Sequence, residues 1–218
     1  MSAGRGDLFQ VKICGITSWA DAKLAVDAGA DALGFNFFPR SPRYLTPARA
    51  REIRRRLPGG VDVVGVFVNA PFEVMDEIAL NVDLNLLQLH GDESPSAIRK
   101  CANYWPVLRA FRVHRGFRPS LLATYKHALA FLLDGFSPHS RGGTGRTFDW
   151  RKAVAAKQYG PVVLAGGLTS DNIVEAIVSV QPAAIDVCSG VESRPGKKDP
   201  ARLRALMRQV ETVRRKLV

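Results

Sequence analysis

The stretch QVKICGITSWADAKLAVDAGADALGFNF, residues 10–37, carries the pattern from which the fold can be predicted. It starts with a short apolar run, Gln10–Cys14, and continues into a segment with helical periodicity near residues 18–28. A second apolar run follows at Asp31–Phe37. Strand, helix and strand in this order predict two parallel strands joined by a helical crossover.

The same unit repeats along the rest of the chain, so that apolar runs alternate with helix-period segments. The eight apolar runs are Gln10–Cys14, Asp31–Phe37, Val61–Val68, Asn85–His90, Val107–Val113, Ala128–Asp134, Pro161–Ala165 and Ala184–Cys188. The helical segments lie near residues 18–28, 47–57, 72–81, 95–102, 119–126, 149–158, 171–179 and 200–215. The weakest pattern covers residues 114–127 and predicts a short helix at best.

Boundary residues support these helices. Ser18 and Asp21 have the spacing of a capping box, and Gly29 predicts the end of the first helix. The pairs Thr46-Pro47 and Ser94-Pro95 are typical of an N-cap followed by the first helical turn.

Eight strand–helix units in 218 residues predict a single-domain α/β fold, a (β/α)8 TIM barrel with eight parallel strands. The barrel would span residues 10–218, after a polar N-terminal tail at residues 1–9. A doubly wound open sheet is the alternative, because periodicity alone does not show closure. Such a sheet would normally carry GxGxxG after its first strand, and KICGIT does not match that motif.

The composition is that of a globular protein, with 46% hydrophobic and 23% charged residues, and it excludes a disordered or fibrous chain. No stretch approaches the roughly 18 uninterrupted apolar residues of a membrane helix. The N-terminal residues MSAGRGDLFQ lack the apolar region of a signal peptide. The cysteines Cys14, Cys101 and Cys188 form no CxxC pair or metal-binding spacing. We therefore expect a cytoplasmic protein with reduced thiols, no metal and no membrane partner.

A net charge of +11, from 31 Lys and Arg against 20 Asp and Glu, raises the question of nucleic-acid binding. The basic residues cluster within residues 49–56 and 202–216, where they alternate with apolar residues as on the solvent face of amphipathic helices. No recognisable nucleic-acid module accompanies them. We expect the charge to attract a small anionic substrate, and we expect no nucleic-acid partner.

The end of the first predicted strand places Lys12 and Cys14 on one face, since side chains alternate along a strand. A lysine inside a barrel is costly unless it is paired, and a thiol beside a cationic amine is a candidate for a lowered pKa. The alternative is a small buried cysteine that only fills space. The sequence is compatible with both interpretations.

Two further strand ends carry polar side chains. Gln88 and His90 share one face of the fourth strand and would point into the barrel, although His90 could equally only fix the turn that follows. Asp134 closes a wholly apolar sixth strand, where a carboxyl group could hold a proton for donation or simply cap the next loop.

Three consecutive strand ends are rich in glycine, which lets backbone N–H groups approach an anion closely. Phosphate sites in these barrels lie at the loops after the seventh and eighth strands. The predicted phosphate-binding residues are Gly142, Gly143, Thr144, Gly145, Gly166, Gly167, Ser189 and Gly190.

The chain resembles the phosphoribosylanthranilate isomerase family in an ordered set of motifs from about residue 11 to residue 199. The matching segments are Lys12–Thr17, Gly34-Phe35 with Ser41–Tyr44, Val64–Asn69, Gln88–Gly91, Leu133-Asp134, Gly142–Gly145 with Phe148–Trp150, Leu164–Leu168, Asp186–Glu192 and Gly196–Asp199. Cys188 departs from the family pattern, which has a small residue before Ser189-Gly190. The alternatives are another phosphosugar isomerase or epimerase of the phosphate-binding barrel class, and a basic barrel that only binds nucleic acid.

The resemblance implies an Amadori rearrangement of N-(5'-phosphoribosyl)anthranilate in tryptophan biosynthesis, without metal or coenzyme. Cys14 would then be the general base and Asp134 the general acid. The resemblance also implies that the carboxylated, phosphorylated substrate is contacted by Arg43, His90 and Asp186, with Arg43 on the anthranilate carboxylate. Lys12 and Gln88 are further substrate-binding candidates because of their interior positions. We expect a monomer, with a dimer as the alternative.

Overall fold

The computed structural model describes residues 10–135 and 148–217, and within them eight parallel strands close into a barrel. The strands are hydrogen-bonded in chain order, and the first pairs with the last, which confirms the predicted closure. Their bounds are β1 Gln10–Cys14, β2 Ala32–Asn36, β3 Asp62–Phe67, β4 Leu86–Leu89, β5 Val107–Val113, β6 Ala130–Gly135, β7 Val162–Leu164 and β8 Ala184–Val187. The predicted tail, residues 1–9, lies outside the described residues.

Helices follow the strands on the outside of the barrel. Their bounds are α1 Trp19–Asp27, α2 Pro47–Arg54, α3 Phe72–Val82, α4 Pro95–Ala102, α5 Arg151–Ala156, α6 Ile173–Val180 and α7 Pro200–Leu217. The weak segment after β5 forms a 3-10 helix, Pro119–Thr124, and shorter 3-10 turns occupy Lys157–Tyr159 and Ser189–Val191. A small antiparallel ribbon, β9 Glu192–Arg194 with β10 Lys197–Lys198, was not predicted.

The predicted N-caps are confirmed, but one capping box is incomplete. Ser18 Oγ accepts a hydrogen bond from Asp21 N at 3.2 Å, and Thr46 and Ser94 cap α2 and α4 in the same way. Among the described residues the Asp21 carboxylate accepts no hydrogen bond from Ser18 N–H, and its Oδ1 accepts instead from Lys197 Nζ at 2.7 Å. Asp21 therefore ties α1 to the ribbon.

The strands separate two apolar layers. The inner layer fills the barrel with six side chains and lies toward β5–β8: Leu108, Ala110, Ala130, Leu132, Val163 and Ala165. The outer layer, which includes Ile13, Leu87 and Ile98, packs the barrel against the helices. Because side chains alternate, Lys12 and Gln88 face inward between outward-facing apolar neighbours, at interior positions where the site is assembled.

The basic clusters lie on helix surfaces, as predicted. In α2, Ala50 and Ile53 are buried while Arg51 and Arg55 are exposed. In α7 the apolar positions are likewise buried and most of the arginines are exposed. None of the helices in the described part of the chain has the length and apolar character needed to cross a membrane.

Candidate active site

An ion pair joins the first and last strands inside the barrel. Lys12 and Asp186 are register partners on β1 and β8, and Lys12 Nζ lies 2.9 Å from Asp186 Oδ1. Both side chains are almost fully buried. The pair therefore supplies the partner that a lysine inside a barrel requires.

Cys14 occupies the next interior position of β1, at the carboxyl end of the strand. A hydrogen bond from the Cys188 thiol lowers the pKa of Cys14 well below its usual range, and the Lys12 cation adds to this effect. Burial acts in the opposite direction and is outweighed. Cys14 is 8% exposed, so the thiolate is held in a nearly dry and electropositive setting. This supports the interpretation of Cys14 as a reactive thiol rather than a space-filling one.

The same surroundings shift the pKa values of Lys12 and Asp186. Burial, helped by the charges of Cys14 and Asp134, raises the pKa of Asp186 to about 7 despite the opposing Lys12 cation. Burial lowers the pKa of Lys12, but Asp186 and Cys14 more than compensate and the net shift is upward. Lys12 therefore keeps its positive charge beside the thiolate.

Two glycines, Gly34 and Gly15, provide the space that the side chains around the end of β1 need. A Cβ at Gly34, the β2 neighbour of Cys14, would lie 2.6 Å from Cys14 Sγ and 3.0 Å from Lys12 Nζ. Gly15 has a φ of 75°, and a Cβ there would lie 2.6 Å from Arg43 Cδ. Both positions exclude a side chain, which explains the glycines that flank this strand end.

A second polar group extends from β4 to β6. Gln88 Nε2 lies 3.1 Å from His90 Nδ1, and His90 Nε2 lies 3.5 Å from Asp134 Oδ2. With the Gln88 amide as donor, Nδ1 is the acceptor, so a neutral His90 carries its proton on Nε2 and directs it at Asp134. The Asp134 side chain is about one-third exposed, and a substrate could reach it.

A buried ion pair behind β4 holds the His90 turn in place. Arg109 Nη1 donates to Leu89 O at 3.0 Å and to Glu93 Oε2 at 2.9 Å, and Glu93 accepts from Gly91 N. His90 itself does not fix this turn. Sequence reasoning missed Arg109 and Glu93, although an arginine within an apolar strand was a usable signal.

Another buried network lies beneath Cys14, and sequence reasoning missed it too. Lys198 Nζ, fully buried, donates to Cys14 O at 2.5 Å and to Glu192 Oε1 at 3.0 Å. Arg43 Nη2 lies 2.6 Å from Glu192 Oε2, so Arg43 bonds that carboxylate rather than the carbonyls of its own turn. Glu192 and Lys198 lie within the motifs that carried the resemblance, but only the structure shows this link to Cys14.

Two of the three predicted phosphate loops meet at the same rim. Gly166 and Gly167 follow β7 with φ of 83° and 69°, and a Cβ at Gly190 would strike Leu168 O. Within residues 10–135 and 148–217, the N–H groups of Gly166, Gly167 and Gly190 donate no hydrogen bond, so they can serve an anion. Ser189 lies beside Gly190 in the same 3-10 turn. The third loop, Gly142, Gly143, Thr144 and Gly145, lies outside the described residues.

Comparisons with known proteins point to one family. Residues 11–209 match the family described as N-(5'phosphoribosyl)anthranilate (PRA) isomerase. The N-(5'-phosphoribosyl)anthranilate isomerase of Citrifermentans bemidjiense is 50% identical over 207 residues, which cover 94% of this chain and 98% of that protein.

Solved structures agree with the sequence match. The phosphoribosyl anthranilate isomerase of Thermotoga maritima superposes with a TM-score of 0.88 at 41% identity, covering 94% of this chain and all of that one. A phosphoribosyl anthranilate isomerase in complex with reduced 1-(o-carboxyphenylamino)-1-deoxyribulose 5-phosphate gives a TM-score of 0.85 at 39% identity, with the same coverage.

Proposed function

Because this chain belongs to the N-(5'-phosphoribosyl)anthranilate isomerase family, we propose that Cys14 is the general base of its reaction and Asp134 the general acid. The enzyme converts N-(5'-phosphoribosyl)anthranilate to 1-(2-carboxyphenylamino)-1-deoxyribulose 5-phosphate, an Amadori rearrangement in tryptophan biosynthesis. The observation that carries the assignment of the base is the position of Cys14 at the carboxyl end of β1, where its thiol shares the space beside Gly34 with the buried Lys12 ammonium group and its pKa is lowered.

Asp134 starts the reaction. Its carboxyl group donates a proton to the furanose ring oxygen, the ring opens, and the nitrogen lone pair forms a Schiff base with the adjacent carbon. The contact from His90 Nε2 orients the carboxyl group, and the exposure of Asp134 supports direct access to the ring oxygen.

Cys14 completes the isomerisation. The positively charged Schiff-base nitrogen acidifies the proton on the neighbouring sugar carbon, and the Cys14 thiolate removes that proton to give an enolamine. The enolamine then tautomerises to the ketone product. A thiol whose pKa is lowered well below its usual range by its neighbours needs no separate base to activate it, which supports this division of roles.

The remaining predicted contacts act on the substrate. Asp186, whose pKa is about 7, and His90 orient the sugar hydroxyls or the amine, and Lys12 and Gln88 hold these two in place. Arg43 would contact the anthranilate carboxylate while remaining bonded to Glu192 through its other nitrogens. A guanidinium has five N–H donors, so it can bind both carboxylates.

The glycine loops bind the phosphate. The N–H groups of Gly166, Gly167 and Gly190, which donate no hydrogen bond within the described residues, support this assignment, and Gly142, Gly143, Thr144, Gly145 and Ser189 complete the predicted site. The substrate is thus a small phosphorylated and carboxylated molecule, and no nucleic-acid or membrane partner is proposed. A cytoplasmic location and a monomeric state stay predictions, the latter to be checked by light scattering.

The decisive experiment is turnover of freshly generated phosphoribosylanthranilate by the purified protein, followed by fluorescence. Wild type should convert it, while Cys14→Ser and Asp134→Asn should lose activity by about a hundredfold or more. Turnover of another phosphosugar in preference to this one would favour the alternative isomerase or epimerase. Full activity in both variants would exclude the proposed acid and base.

A further inference from the structure

The first and last strands of the barrel bring two thiols side by side. Lys12 pairs with Asp186 and Ile13 with Val187, so the next positions are Cys14, the last residue of β1, and Cys188, which directly follows β8. Neighbouring strands lie about 4.8 Å apart, within the range of about 4.4–6.8 Å that joins the Cα atoms of a disulfide. The two side chains point to the same interior face as the ion pair below them.

The thiols interact directly and lie within reach of a small reagent. The structure places Cys188 Sγ 3.8 Å from Glu192 Oε1, and the proximity of the two thiols lowers the pKa of Cys14 and raises that of Cys188. A Cβ at Gly15, the residue after Cys14, would lie 3.0 Å from Cys188 Sγ. Cys188 is partly exposed, whereas Cys101 is buried on α4.

The charges around the pair favour oxidation at Cys14 over Cys188. The cations Lys12 and Lys198 favour the thiolate of Cys14. Cys188 stays a thiol, because the bond to Cys14 and burial raise its pKa well above the usual range. The thiolate is the form that attacks peroxides, so the two cysteines have distinct chemical roles.

We propose that Cys14 and Cys188 form a reversible oxidation site, in which a hydroperoxide oxidises Cys14 and Cys188 then closes a disulfide between the two. Formation of the disulfide does not depend on the proposed function. The expected loss of isomerase activity does depend on it, because the disulfide removes the thiolate assigned as the base. A reducing dithiol reopens the site and restores activity.

The chemistry is balanced in two steps. The Cys14 thiolate attacks the terminal oxygen of the hydroperoxide and breaks the O–O bond, which gives a sulfenic acid at Cys14 and, after protonation, water or an alcohol. Cys188 loses its proton and attacks the Cys14 sulfur, which forms the S–S bond and releases water. The peroxide is reduced, and the two thiols are oxidised by two electrons in total.

Cys188 would thereby protect Cys14 from irreversible damage. A sulfenic acid without a neighbouring thiol proceeds under excess peroxide to sulfinic and sulfonic acids, which dithiols do not reduce. The adjacent Cys188 captures the sulfenic acid first.

The test treats the intact protein with hydrogen peroxide and follows intact mass, non-reducing peptide maps and isomerase activity, before and after dithiothreitol. In wild type and in the matched control Cys101→Ser, we expect the mass to fall by two hydrogens and a crosslinked peptide to contain Cys14 and Cys188. Activity should fall on the order of a hundredfold after peroxide and be restored by dithiothreitol. In Cys188→Ala and in Cys188→Ser, we expect added oxygen at Cys14 and activity that dithiothreitol does not restore.

Three outcomes are informative. Absence of the Cys14–Cys188 crosslink in wild type overturns the proposal, and so does equal recovery by dithiothreitol in wild type and both Cys188 variants. A crosslink that leaves activity intact supports the oxidation site and overturns the role of Cys14 as base.

Discussion

Lys12 Nζ and Asp186 Oδ1 lie 2.9 Å apart across the seam between the first and last strands, one step below the Cys14 thiol. The lysine is thus a fixed cation for the thiolate, and its own charge is secured by the carboxylate beside it.

Replacement of the proposed base should abolish most turnover. Cys14→Ser exchanges a thiolate for a hydroxyl that does not ionise near neutrality, so kcat should fall by at least about a hundredfold. Cys101→Ser, at a buried thiol on α4 outside the barrel, is the control and should keep wild-type kcat. Steady-state kinetics of both variants decide the matter, and a nearly unchanged kcat in Cys14→Ser would contradict the assignment.

The thiolate should be visible in the pH dependence of alkylation. Only the thiolate reacts with iodoacetamide, so a pKa well below the usual range shifts the pH at which Cys14 loses its reactivity to lower values. Cys188→Ala removes the main hydrogen bond that lowers this pKa, and the rate at pH 7 should therefore decrease.

The measurement is the rate of modification of the Cys14 peptide by mass spectrometry between pH 5 and pH 9. Cys101 in the same samples serves as internal control, since burial raises its pKa and its rate should increase only at high pH. Identical profiles for wild type and Cys188→Ala would show that Cys188 does not stabilise the thiolate.

Asp134→Asn tests the acid. Asparagine keeps size and polarity but has no proton to transfer, so kcat should drop by roughly a hundredfold or more while a product analogue still binds. A residue that merely caps its loop would give the reverse, with damage to stability or KM and an unaffected kcat. Substrate supplied with its ring already open should partly rescue Asp134→Asn and leave Cys14→Ser inactive.

Inorganic phosphate should compete with substrate for the glycine loops. A methyl group at Gly190 would strike Leu168 O and force the β7 and β8 loops apart, so Gly190→Ala should raise the inhibition constant of phosphate. Gly59→Ala is the matched control, because a Cβ there meets nothing within 4 Å. Titration at constant ionic strength is the measurement, and equal inhibition in both variants would place the phosphate elsewhere.

Lys198 should matter for stability far more than a surface lysine does. Lys198→Met leaves Glu192 without one buried partner, a change that typically costs about 3–5 kcal/mol of unfolding free energy. Lys100→Met breaks the exposed pair with Glu73, which solvent screens, and should cost far less. Urea denaturation compares the two, and equal losses would mean that Lys198 is not buried with its partner.

The periodicity of the sequence predicted the barrel well, because each strand–helix unit is decided locally by alternating and helical apolar patterns. The interior placement of Lys12 and Gln88 followed from the same alternation. The residues that contact these groups could not be predicted in the same way. That Cys188 bonds Cys14, or that Lys198 bonds the Cys14 carbonyl, depends on the register of β1 against β8 and on the β9–β10 ribbon. No local pattern encodes those contacts.

The seam also governs when the enzyme can become active during synthesis. Lys12 and Asp186 are separated by 174 residues, and Lys198 reaches back 184 residues to Cys14. Contacts between such distant positions form only after the intervening chain has been made and ordered. In an unfinished polypeptide on the ribosome, the first strand would lack its neighbour β8 and therefore the Asp186 partner of Lys12. Its cysteine, Cys14, would stay an ordinary thiol. The enzyme would therefore become active in a single late step of folding, when the eighth strand pairs with the first.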